Sequence, residues 1–347
     1  MAISGDRRIQ RERVTIRDIA RVAGVSVATV SRVMNDRPDV SPETRESVLR
    51  VARAHNFTTN RSARGLSVGR PGLIGFTLPW VDEHYFTGIL AGATEALHEQ
   101  EQRVVLCPTH HEHDREVSLL ERLMNGTTDG AIVLLPEESP AELRALNEHG
   151  FPFVVADPRQ PLDEGVPVVS AAHASGARSA TEHLIRLGHR RIGLITGFPG
   201  WTATEERIAG YKTALASAGL PLQSELVVEG EFNAEAGYVA AARLLDRVDR
   251  PTAIFASNDN TAVGTMRAAL ERGMRIPEDI SIVGFDDTEV ARNVWPRLTT
   301  VRQPLAELGR TAVSLLNRLI EGQRTEALRI ELATRLIVRE STGPPPA

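Results

Sequence analysis

From Val14 to Ala54 the apolar positions recur at helical spacing in three short runs, each opened by a capping residue. Thr15, with Asp18 three residues on, predicts a capping box, and Ile16, Ile19, Ala20 and Ala23 then share one face. Gly24 predicts the stop, because glycine enters the left-handed C′ conformation without steric penalty. Ser26 predicts the cap of a second helix over Val27–Met34, with Val30 and Val33 turned inward and Val27, Ala28, Thr29 and Arg32 turned outward. Ser41 and Pro42 open a third helix whose core face is Val48, Leu49, Val51 and Ala52. Two short helices joined by a glycine-containing turn form a helix-turn-helix, whose second helix enters the DNA major groove.

From Pro71 the pattern changes to apolar runs separated by amphipathic stretches. Strands are predicted at 73–78, 103–108, 130–135, 153–156 and 166–169, and then, as the pattern restarts, at 191–196, 226–230, 253–256, 281–285, 299–304 and 334–339. Helices are predicted near 86–100, 116–125, 140–149, 173–187, 204–218, 234–248, 260–272 and 305–321. This alternation implies βαβ units, parallel sheets and an α/β fold made of two doubly wound halves.

Length and charge sharpen that division. A chain of 347 residues exceeds one average domain. Residues 1–70 hold 14 Arg against 7 Asp and Glu, hence +7, which leaves −12 for the rest of a chain whose total is −5. A basic front ahead of an acidic body points to a polyanion partner for the front alone. Cys107 is the single cysteine and sits in an apolar run, so a buried, inert thiol is expected and no disulfide framework. No apolar run approaches 18 residues and no secretory leader pattern opens the chain, which predicts a cytoplasmic protein without membrane spans.

The motif A-x-x-A-G-V-S-x-A-T-V-S-R-V-x-N, Ala20 to Asn35, resembles the headpiece of the lactose/galactose-repressor (LacI/GalR) family. The likeness continues through Val40-Ser41-Pro42-Glu43-Thr44-Arg45 and Asn60-Arg61-Ser62-Ala63-Arg64-Gly65-Leu66, and related segments recur to the end of the chain. It implies a three-helix headpiece over 14–58, a hinge segment over 59–70, and a periplasmic-binding-protein-like body over 71–342. Lobe 1 of that body is expected at 71–172 plus 304–327 and lobe 2 at 173–303 plus 328–342, with disordered tails at 1–13 and 343–347. It also implies a homodimer on a palindromic operator. Val27, Ala28 and Arg32 are expected at base edges, where an arginine donates bidentately to guanine. Thr15, Ser26, Thr29, Ser31 and Asn35 are expected at phosphates. Asn60, Ala63 and Leu66 are expected in a hinge helix that folds on DNA, with Leu66 as a minor-groove wedge. The absence of a leucine heptad after the body predicts no tetramerising coiled coil.

Ligands of doubly wound sheets sit at the carboxyl ends of the strands. Asn258 and Asp286 end two such runs, Arg207 lies on the helix after another, and Trp80 and Tyr85 follow the first. An Arg fork, an amide and carboxylates suit adjacent hydroxyls of a polyol. The resemblance places Arg207, Asn258 and Asp286 at effector contacts and Phe232 as an aromatic against the ligand, with Asp157 counted among the candidates. Asp259 and Asp287 read instead as helix caps or loop braces. Many relatives carry an Asp-Asn pair at the start of the helix that begins here near His173, where this chain reads Ser170-Ala171-Ala172-His173, so contacts made there by relatives are not expected to transfer. No Rossmann, Walker or G-x-S-x-G motif is present, so an enzyme is not expected, and no cofactor. His110–Asp114 has the look of a metal cluster but reads better as a solvated polar turn ahead of a surface helix. The expected function is a DNA-binding regulator of sugar-utilisation genes, released from its operator by a small carbohydrate. The alternatives are a purine or other metabolite acting as co-repressor, and a sugar-binding protein that does not touch DNA.

Overall fold

Thr15 opens the first helix, α1 (Ile16–Ala23), through a reciprocal box. Its hydroxyl donates to Asp18 Oδ2 at 2.6 Å, and the Asp18 amide donates back to it. Gly24 closes α1 at φ +68°, its N–H returning to the Ala20 carbonyl. Ser26 Oγ accepts the Thr29 N–H at 3.0 Å at the start of α2 (Val27–Met34). Ser41 caps α3 (Pro42–Ala54), with Pro42 in the first turn. Ile19, Val30 and Val48 meet, fully buried, at the centre of the three helices. The computed structural model describes residues 14–34, 37–55, 57, 71–81, 83–323 and 328–346. The chain divides into two compact units between Pro71 and Gly72.

In the second unit the first sheet collects β1 (Leu73–Leu78), β2 (Arg103–Pro108), β3 (Gly130–Leu134), β4 (Phe153–Ala156), β5 (Val168–Ala171) and β11 (Arg329–Leu332). Its order is β11-β5-β4-β3-β1-β2, parallel throughout. Helices α4 (His84–Glu99), α5 (His113–Arg122), α6 (Pro140–Glu148) and α12 (Leu305–Ile320) flank it. Ile74, Phe76, Ile132 and Val154 pack on Ile89, Leu308 and Leu316 from α4 and α12. The two helices touch closely at Gly92, where a Cβ would lie 1.8 Å from the Ala306 carbonyl oxygen. Cys107, on β2, is buried, as its apolar setting implies.

The second sheet holds β6 (Ile192–Ile195), β7 (Val227–Val228), β8 (Ala253–Ala256), β9 (Ser281–Asp286), β10 (Thr299–Arg302) and β12 (Arg335–Ile337) in the order β12-β10-β9-β8-β6-β7, with β12 alone antiparallel. Helices α7 (His173–Arg186), α8 (Thr202–Ser217), α9 (Ala234–Leu245) and α10 (Asp259–Glu271) cover it, with the short α11 (Glu289–Asn293) after β9. The chain passes between the sheets after β5, after β10 and after β11. These passages are tied together: the Ala172 N–H donates to the Leu332 carbonyl at 2.9 Å, and Thr334 Oγ1 donates to the Ala172 carbonyl at 3.1 Å.

Two boundaries differ from expectation. Segment 328–342 does not lie wholly in lobe 2. Arg329–Leu332 is an edge strand of the first sheet, and the chain crosses only at Thr334. Its Arg-Ile-Glu-Leu alternation, half-buried on one face, is too polar to stand out as a core strand. The tail expected to be disordered from Gly343 is anchored instead. His189 Nε2 meets the Gly343 carbonyl at 2.9 Å, and the Gly343 amide donates to Ser281 Oγ at 3.0 Å.

Candidate functional site

In the first unit the outward face of α2 is open. Val27 is 43 % exposed, and Ala28 and Arg32 are exposed beside it. Arg32 Nε rests 3.6 Å from Asp39 in an ion pair exposed on both sides. Such a pair has little strength and leaves the fork available. Of the residues expected at phosphates, Ser26 and Thr29 share a 2.9 Å side-chain contact. The Thr15 hydroxyl proton is committed to Asp18, so as placed it has none left for a phosphate oxygen. Ser31 is half-buried on the same helix. Asn35, Asn60, Ala63 and Leu66 lie outside the described residues.

In the second unit a cavity of about 260 Å³ opens between the carboxyl ends of the two sheets, near the lower edge of the range for small-molecule sites. Trp80, Tyr85, Asp157, Arg207, Phe232, Asn258 and Asp286, the seven residues expected at the effector, all line it. Six segments deliver them, each at the carboxyl end of a strand or on the helix that follows one. Five lining residues, His111, Leu135, Asp157, Phe232 and Asp286, hold a positive φ that non-glycine residues rarely adopt. Such backbone persists where packing over-determines it, and it clusters at binding sites. Phe232 shows how: its ring lies over Gly197, where a Cβ would meet it at 1.9 Å, and its carbonyl accepts from Asn258 Nδ2 at 2.8 Å. The other Asn258 amide atom, Oδ1, caps α10 by accepting the Thr261 N–H.

The floor is a chain of buried polar groups. Tyr85 Oη donates to Asp157 Oδ2. His173 Nε2 meets Asp157 Oδ1 at 2.8 Å, while its Nδ1 lies 3.2 Å from Arg207 Nη2. A guanidinium only donates, so Nδ1 accepts and the proton sits on Nε2. Arg207 also donates from Nη1 to the Ser257 carbonyl at 2.5 Å, approaches Asp286 Oδ1 at 3.8 Å and lies 3.9 Å from the Phe285 ring centre. Its Nε is buried without a partner. Gln303 Nε2 donates to Asp286 Oδ1 at 2.6 Å. Burial pushes the Asp286 carboxyl up to about 6, against the opposing pull of Arg207 and Gln303. Burial acts the same way on Asp157, but the His173 ring and the hydrogen bonds from His173 and Tyr85 outweigh it and hold that carboxyl below the usual range. Burial and the neighbouring Asp157 drive the Tyr85 phenol well above its usual value. Asp259 and Asp287 stay out of the cavity: Asp259 accepts from Thr288 and Thr300, and Asp287 from Arg302 and Arg339.

Several lining residues were not anticipated. Trp201 and Phe198, 4.7 Å apart between ring centres, extend the aromatic wall formed by Phe232. They follow β6, so the strand-end rule that picked out Trp80 applies to them equally. His111 belongs to the cavity rather than to a solvated turn: it pairs with Glu137 at 2.6 Å and faces Trp201. His113, two residues on, pairs with Glu142 on the surface. At the rim the Arg159 guanidinium lies 4.3 Å over Trp201, and the Thr202 amide donates to the Arg159 carbonyl at 2.8 Å. Glu137 also pairs with Arg159.

Comparison with known proteins agrees with both units. Residues 15–60 match the family described as bacterial regulatory proteins, lacI family, and residues 181–342 match the periplasmic binding protein-like domain. The HTH-type transcriptional repressor PurR of Haemophilus influenzae (strain PittEE) is 35% identical over 334 residues, covering 94% of this chain and 98% of that protein. The structure of a transcriptional regulator CelR–cellobiose complex is 34% identical, with a TM-score of 0.72 and coverage of 95% of this chain and 100% of that one. The lac repressor dimer bound to operator and an anti-inducer is 30% identical, with a TM-score of 0.86 and coverage of 96% and 100%. Among the described residues no helix is long and apolar enough to cross a membrane. With matches spanning nearly its whole length, the chain belongs to the lacI family of bacterial regulatory proteins.

Proposed function

We propose that the protein is a homodimeric repressor of sugar-utilisation genes that leaves a palindromic operator when its cleft binds a small carbohydrate. The observation that carries this reading is the convergence of Arg207, Asp286 and Asn258 with Trp80, Trp201 and Phe232 on one cavity. Flat apolar rings against sugar faces and a fork with a carboxylate against hydroxyls are the two recognitions a polyol needs. The solved CelR complex holds cellobiose, which makes that disaccharide the first probe. The test is a mobility shift on an inverted-repeat duplex with a panel of mono- and oligosaccharides, alongside thermal shift with the same panel. Release by a sugar supports the reading. Tighter DNA binding in the presence of a purine base and no response to any sugar would move it to the co-repressor alternative.

At the DNA, Arg32 is the outward residue of α2 able to read guanine through two donors. Arg32→Ala is expected to cost about 1–3 kcal/mol on the preferred operator and to flatten discrimination at one base pair. Competition binding against single-base operator variants checks this. Equal weakening on every duplex would assign Arg32 to the backbone instead.

A further inference from the structure

We propose that His173 is a positioning residue that joins the two lobes beneath the cleft and holds the cleft closed. His173 is the first residue of α7, one step beyond the crossover from β5, and it is 1 % exposed. Its two ring nitrogens face opposite lobes: Nε2 holds Asp157, at the end of the first sheet's β4, and Nδ1 holds Arg207, on α8 of the second lobe. Asp157 is in turn held by Tyr85 from α4, and Arg207 is braced by Ser257 and Phe285. One ring therefore fixes the floor groups of both lobes in a single arrangement. Glutamine can present a donor and an acceptor at the same two points, whereas leucine fills the space and offers neither.

The chain contains three tryptophans. Trp80 and Trp201 line the cleft, while Trp295 is 78 % exposed and lies outside it. Trp295→Phe in the full-length protein therefore leaves two reporters, both in the cleft, and acrylamide quenching without any ligand reads its opening. In that background His173→Leu is expected to raise the quenching constant about twofold at neutral pH, and His173→Gln to leave it unchanged. Titration with cellobiose is the second arm and rests on the carbohydrate reading: affinity should fall about tenfold in His173→Leu and stay within about threefold in His173→Gln. Quenching of His173→Leu equal to its parent, in a protein that still melts cooperatively, overturns the proposal, as does an equal rise in His173→Gln. If His173→Leu does not fold, His173→Met, which also fills the space and offers no donor, is read in its place. If no variant binds cellobiose, that sugar is rejected while the quenching arm still decides the role of His173.

Discussion

Arg207→Ala is expected to abolish the effector response and to destabilise the second unit by about 3–5 kcal/mol, the usual cost of removing one partner from a buried charge network. Arg207 is 3 % exposed and faces Asp286 at 3.8 Å, His173 at 3.2 Å and the Ser257 carbonyl at 2.5 Å. Its loss strands all three at once. The Asp286 carboxyl, already held up at about 6 by burial, loses the cation that opposes that rise. Its pKa would then rise further, and it would accept hydroxyl donors less strongly. Effector affinity should accordingly fall by about a hundredfold or more, as for truncation of a buried charged contact. Arg207→Lys should not rescue it, because an ammonium cannot stack on Phe285 and serve Ser257 and His173 together. Urea melts and calorimetric titration check the two numbers. Operator affinity should survive, which gives a repressor that no longer lets go. Release of Arg207→Ala from DNA at the wild-type effector concentration would remove Arg207 from the site.

Much of this arrangement could be read before any coordinates, for a physical reason that also explains the omissions. The headpiece was legible because capping chemistry is local: Thr15, Asp18, Gly24 and Ser26 do within three or four residues what their types imply. The doubly wound body was legible because strands buried on both faces are written as apolar runs, as at Leu73–Leu78 and Ala253–Ala256. What escaped was set by neighbours distant in sequence. Arg329–Leu332 is a strand only because β5 offers its edge. Gly343 is ordered only because His189 and Ser281 wait for it. His111 faces the cavity because Glu137, 26 residues on, draws it there. The stretch Ser170–His173 departs from relatives, but nothing local says that the two ring nitrogens of His173 meet residues from different lobes.

Glu138→Gln is expected to stabilise the protein at alkaline pH and to flatten its pH profile. Glu138 is 6 % exposed, and its carboxyl faces that of Glu116. Glu116, also buried, accepts the Glu137 amide at 2.7 Å. Burial, and then the Glu116 carboxylate, push Glu138 up to about 9. Burial raises Glu116 as well. The folded protein therefore holds a proton that the unfolded chain, with an ordinary carboxyl at 4.5, gives up earlier. Stability is greatest below that ordinary value, falls as pH rises through the window between them, and is fully lost from this source once the folded carboxyl ionises near 9. The slope cannot exceed about 1.4 kcal/mol per pH unit for one such group. Glutamine carries no charge at any pH, so at about pH 8 the variant should exceed wild type by about 3 kcal/mol, and near about pH 4.5 the two should coincide. Urea denaturation at several pH values reads this directly, and parallel curves for the two proteins would show that Glu138 is ionised and solvated in the native state. The consequence reaches the cleft, because the preceding residue, Glu137, holds both His111 and Arg159 at its rim. A charge forced onto Glu138 strains the same turn, so effector affinity in wild type should weaken with stability as pH rises, and in Glu138→Gln it should not.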